Sequence, residues 1–148
     1  MDENFDESQD ELNGNERLLM VDDEESITNY VQRALHRLGY IVTAARSPME
    51  ALALLTAHHG AFDLLLADVV MPEMNGHQLA QKVNAMHPQI KTLFMSGYPE
   101  EIIATDGFIQ EGLNFIDKPF TAKRLSAKIR EVLDGSPKKI TGATRETW

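Results

Sequence analysis

The chain of 148 residues contains no cysteine, so disulfides and thiolate metal sites are excluded. That absence fits a cytoplasmic location. No apolar run approaches the roughly 18 residues that a membrane span needs, and no cationic start leads into an apolar stretch as in a secretory signal. We therefore expect no membrane contact by this domain. Lys and Arg are dispersed and form no stripe, which argues against direct nucleic-acid binding. Neither G-x-G-x-x-G nor G-x-x-x-x-G-K-[ST] occurs, leaving a nucleotide-binding Rossmann-like reading without support.

Hydrophobic content of 43% and charged content of 25% suit one soluble domain with a real core. The net charge of −9 is uneven. Asp2, Glu3, Asp6, Glu7, Asp10, Glu11 and Glu16 fall in residues 1–16 beside no Lys or Arg, so this segment accounts for −7 of it. We read 1–16 as an acidic disordered tail or linker, 17–135 as the folded domain, and 136–148 as a flexible C-terminal tail.

Five short apolar runs, at 18–21, 41–45, 64–67, 92–95 and 114–116, alternate with helical patterns. Continuous apolarity points to strands covered on both faces, as in a parallel sheet. Ile27, Val31, Ala34, Leu35 and Leu38 form one helical stripe stopped by Gly39. Ser47-Pro48-Met49-Glu50 reads as a capping box opening a second helix, to end near Gly60. Leu79, Val83 and Met86 mark a third helix before Pro88, and Leu125, Ile129, Val132 and Leu133 a last one, capped by Thr121. Between them, 100–112 gives only a short or broken helix, because Thr105-Asp106-Gly107 interrupts the period. The pattern is α/β, a (βα)5 doubly wound five-stranded parallel sheet of flavodoxin-like type, in which ligands sit at the carboxyl ends of the strands.

Those ends carry the chemistry. Asp22 and Asp23 follow the first run, Asp68 the third, Ser96 the fourth and Lys118 the fifth. Two carboxylates about 5 Å apart repel by roughly 3 kcal/mol at an effective dielectric near 20, so protons or a cation must offset the cluster. Oxygen ligands with room for water suit Mg²⁺, and an ammonium and a hydroxyl would hold a phosphoryl group, with Asp68 as a possible nucleophile. Each element has a bland alternative: acids favouring a helix start, an Asp turning before Pro72, an ordinary loop serine, a surface lysine. Their joint arrival at strand ends favours the functional reading.

The set Asp22-Asp23, Asp68 with DVVMPEMNG, Ser96 in FMSGY, and Lys118-Pro119-Phe120 resembles the receiver domains of two-component response regulators, over nearly all of 17–135. The wording is most similar to receivers attached to hybrid sensor histidine kinases. The resemblance implies that Asp68 accepts a phosphoryl group from a phosphohistidine. Asp23, Asp68 and the Val70 carbonyl would ligate Mg²⁺ directly, and Asp22 mostly through water. Ser96 and Lys118 would hold phosphoryl oxygens, Ser96 and Phe115 would be the switch pair, and the Lys118–Pro119 bond would be cis. It further implies a histidine kinase or histidine phosphotransfer protein upstream and a protein partner downstream. Only residues 136–148 follow Gly135, too few for a DNA-binding output, so we expect a separate output protein or a longer parent chain.

Other functions compete. An Asp-nucleophile phosphohydrolase would want an acid two residues after the nucleophile, where Val70 stands. A pseudo-receiver used only for docking would not need the complete set of acids, hydroxyl and lysine. His58-His59 are adjacent and splay about 100° apart on a helix, so they do not read as a metal pair. The methionines read mostly as packing residues.

Overall fold

The computed structural model describes residues 13–97 and 114–135; the segment 100–112, read above as a broken helix, lies outside them, as does Tyr98. Five strands are present, β1 (Arg17–Val21), β2 (Ile41–Ala45), β3 (Leu64–Asp68), β4 (Lys91–Ser96) and β5 (Phe115–Asp117). Among the described residues four helices join them: α1 (Glu25–Arg37), α2 (Pro48–Ala57), α3 (Gly76–Met86) and α4 (Ala122–Leu133). All strand pairs are parallel and the order is β2-β1-β3-β4-β5. From β1 the chain steps outward to β2, then crosses back past β1 to β3 and on to β4 and β5, which opens a crevice at the carboxyl ends of β1 and β3.

Alternate side chains of the central strands feed two cores. Leu18, Met20, Leu64, Leu66, Leu93 and Met95 face α1 and α4, meeting Val31, Leu35, Leu125 and Ile129. Leu19, Val21, Leu65, Ala67 and Phe94 face α2 and α3, meeting Leu55, Leu79 and Val83. The inference from continuous apolarity holds for β1, β3 and most of β4. It fails for β2, an edge strand with only Ala45 fully buried and Ile41 half exposed.

Local signals behave unevenly. Gly39, Gly60 and Gly135 all take positive φ where helices stop. Thr121 accepts from the Arg124 N–H at 3.0 Å, as expected for its cap. At α2, Ser47 accepts from Glu50 N–H, but the Glu50 carboxylate accepts from Arg46 N–H rather than from the cap residue's, so the anticipated capping box is only half formed. The complete box is at α3, where Asn75 and Gln78 satisfy each other's backbone donors at 2.8 and 2.9 Å. Met86, assigned above to the α3 stripe, is half exposed; the buried face is Leu79, Ala80 and Val83. Residues 13–16, placed above in the acidic tail or linker, are hydrogen-bonded to the sheet and to α1's end: Gly14 N–H donates to Leu38 O and Ile41 N–H to Glu16 O. No described helix is long and apolar enough to cross a membrane.

Candidate functional site

The acidic, hydroxyl and lysine candidates stand at or just past the carboxyl ends of strands. Asp68 closes β3 and Ser96 closes β4, while Asp22 follows β1 directly with its N–H donating to Ala45 O at 3.1 Å. Lys118 follows β5, its N–H donating to Ser96 O at 2.8 Å, and the Lys118–Pro119 bond is cis, as the sequence resemblance implies. One carboxylate oxygen from each of Asp22, Asp23 and Asp68 lies within 4.8 Å of the others, with Asp22 and Asp68 buried and Asp23 exposed. The Lys118 ammonium lies 2.9 Å from Asp22 Oδ2 and 3.4 Å from Asp68 Oδ2. Far-separated parts of the chain, 96 residues apart for Lys118 and Asp22, thus meet in one pocket.

Asp22 is fully buried and fully engaged. Its Oδ1 accepts from Glu24 N–H at 2.9 Å, and its Oδ2 from Lys118. Helix capping was the bland alternative for this residue. Its bond to Glu24 N–H does turn the chain into α1, yet the second oxygen belongs to the pocket. Glu24, noticed above only as part of an acidic run, stands 3.7 Å from Lys118 Nζ and is mostly exposed. Sequence proximity to Asp22 was the one signal that could have found it.

Burial and the charge of Asp22 push Asp68 up to about 6, against the opposing pull of Lys118. Burial disfavours the Lys118 ammonium, but hydrogen bonds and charge from Asp22 and Asp68 outweigh it and hold its pKa above the ordinary lysine value. One cation therefore does not fully compensate three carboxylates. The donors are all oxygens, crowded and partly open to water through Asp23, a set that fits a hard divalent ion such as Mg²⁺.

The remaining candidates sit at the margin. Val70, two residues past Asp68, is 52% exposed and offers no side-chain donor. Ser96 is buried at the end of β4, paired in register with Asp117. Phe115 packs against the α2/α3 core with its ring 5.5 Å from that of Phe94. Gly76 was missed by sequence reasoning: its N–H donates to Val69 O, and a Cβ there would fall on the Asp68 carbonyl oxygen. The start of α3 is thereby pressed against the backbone that carries Asp68.

A five-stranded, doubly wound α/β domain with an acidic pocket and a lysine at its strand ends is the class that fold and site define. The chain belongs to the response regulator receiver domain family, whose model matches residues 18–130. It is 37% identical over 124 residues to the sensor kinase CckA of Brucella abortus, covering 84% of this chain and 13% of the kinase. To the response regulator receiver protein CpdR of the same organism it is 30% identical, covering 79% of this chain and 96% of CpdR. Among solved structures, the receiver domain of the hybrid histidine kinase CckA is similar at a TM-score of 0.67 and 31% identity, covering 79% of this chain and 98% of that one.

Proposed function

We propose that this domain is the phosphoacceptor of a two-component phosphorelay, with Asp68 as the accepting residue. The reading rests on one observation above all: Lys118 Nζ lies 3.4 Å from Asp68 Oδ2 in a pocket shared with Asp22 and Asp23. An oxygen of Asp68 attacks the phosphorus of a phosphohistidine; the new P–O bond forms as the P–N bond breaks. The bond electrons stay on the imidazole, whose other nitrogen carries the proton that makes it a neutral leaving group. Asp23, Asp68 and the Val70 carbonyl would hold Mg²⁺, with Asp22 acting mostly through water. Bound there, the ion supplies charge neutralisation for the phosphoryl oxygens. Lys118 pairs with one phosphoryl oxygen and the Ser96 hydroxyl donates to another.

Movement of Ser96 and Lys118 toward the phosphoryl group, with repacking of Phe115, would alter the surface around residues 122–129 where a downstream protein docks. The donor is a histidine kinase or a histidine phosphotransfer protein. A parent hybrid kinase is consistent with the similarity to CckA, of which this chain spans a small part.

The test is phosphotransfer from phosphorylated histidine kinases and phosphotransfer proteins, with and without Mg²⁺. Transfer of one phosphoryl group to the native chain, lost on Mg²⁺ removal and in Asp68→Asn, is expected. Undiminished labelling of Asp68→Asn would overturn the assignment, and many turnovers on p-nitrophenyl phosphate would point instead to a phosphohydrolase.

A further inference from the structure

On the amino-terminal side of the sheet, away from the pocket, a second charged cluster involves residues outside the family match at one end and at its last position at the other. Arg130, on the last turns of α4, presents its guanidinium to Glu16 through both terminal nitrogens, at 2.9 and 3.1 Å. The same group donates to Asp134 at 2.6 Å and to the Tyr40 hydroxyl at 3.0 Å, and lies 6.0 Å from the Tyr40 ring centre. Arg130 and Glu16 are both largely shielded from solvent, at 18% and 24% side-chain exposure, so the pair is less screened than a surface ion pair. Hydrogen bonds from Asp134 and Glu16 raise the pKa of Arg130 still further, and the Arg130 hydrogen bond lowers that of Glu16.

The backbone is drawn in with the charges. Gly14 N–H donates to Leu38 O and Glu16 O accepts from Ile41 N–H. A Cβ on Gly14 would strike the Tyr40 ring and Arg130, and one on Gly39, at φ +102°, would strike the Gly14 carbonyl. Tyr40 is fully buried, and Gly39 combines a positive φ with contact to backbone, so this crossing favours glycine. Nothing in a parallel sheet needs residues 13–16 to be fastened to its last helix. A bidentate guanidinium on a closely packed glycine crossing is a specific fastening.

We propose that residues 13–16 are a latch, with Arg130 as its bolt, that makes this segment move with α4. The latch joins whatever lies upstream of residue 13 to the helix that follows Lys118. Any displacement of α4 is then passed on to residues 13–16. The proposal does not rest on phosphoryl chemistry at Asp68.

The absence of cysteine makes the test direct. In the full chain, spin labels on Asn13→Cys and Ala127→Cys, both exposed positions, report the distance between the latch and α4. With Arg130 present, one narrow distance distribution is expected. Arg130→Met should broaden it and speed amide exchange at Gly14 by about tenfold or more, with Leu65 and Leu66 amides unchanged. Gly14→Ala should broaden it with every charge retained, and Glu16→Gln should do so partially. A distribution that stays narrow in Arg130→Met and in Gly14→Ala, each with core exchange intact, would overturn the latch. Should Arg130→Met lose the core, the Gly14→Ala and Glu16→Gln distributions decide alone.

Discussion

Asp68 and Lys118 define the residue scale. Asp68 has a folded-state pKa of about 6 against an ordinary 3.8, because burial and Asp22 oppose its charge. A raised carboxylate favours the folded state at low pH; that contribution is complete below about 4 and is lost as pH rises through 6. In metal-free protein, Asp68→Asn should therefore increase stability at pH 7–8, by up to about 3 kcal/mol, with the gain vanishing as pH falls from 6 to 4. Urea unfolding across that range checks it, and a pH-independent difference would contradict the electrostatic account. Lys118→Met should act oppositely. It leaves the fully buried Asp22 without its cation, and loss of one partner from a buried pair costs about 3–5 kcal/mol. A further expectation concerns Val70, exposed beside Asp68 without a donor for a hydrolytic water. Val70→Asn should shorten the phosphoryl lifetime, and unchanged dephosphorylation would defeat this. These residues were legible in the chain because each stands at the end of an apolar run. The Arg130–Glu16 pair was not, since 114 residues separate its members and neither sits in a motif.

At the scale of elements, legibility followed how much each segment had to bury. The stripe Val31, Leu35 on α1 and the stripe Leu125, Ile129, Val132 on α4 are fully buried or nearly so and were readable at 3.6 spacing. Met86 shares that spacing but is the last residue of α3 and half exposed, so periodicity overstated the α3 stripe. The Asn75–Gln78 capping box and the reason for Gly76, contact with the Asp68 carbonyl, went unread because the second depends on packing against the end of β3. Gly76→Ala should consequently cost about 1–3 kcal/mol, as overpacking does, and also weaken Mg²⁺ binding through displacement of Asp68. Parallel titrations of stability and Mg²⁺ affinity check both. Full Mg²⁺ affinity in a destabilised Gly76→Ala protein would separate the helix start from the pocket.

For the whole molecule, strand order is the decisive fact. The β2-β1-β3-β4-β5 arrangement brings the ends of four strands to one edge, and this followed from alternating patterns plus the parallel-sheet rule. Register and the latch at residues 13–16 did not follow, because they depend on packing between distant segments. If the acidic pocket is the cation site, Mg²⁺ binding the native state should raise stability by about 2.7 kcal/mol at a hundredfold excess over its Kd, and Asp68→Asn should lose most of that gain. The central claim is narrower still: one aspartate receives the phosphoryl group. Borohydride reduction after phosphotransfer, followed by peptide mapping, converts an acyl phosphate to homoserine where it stands. Homoserine at position 68 alone is predicted; homoserine at position 22 or 23, or none in a protein that has taken up label, would contradict the account.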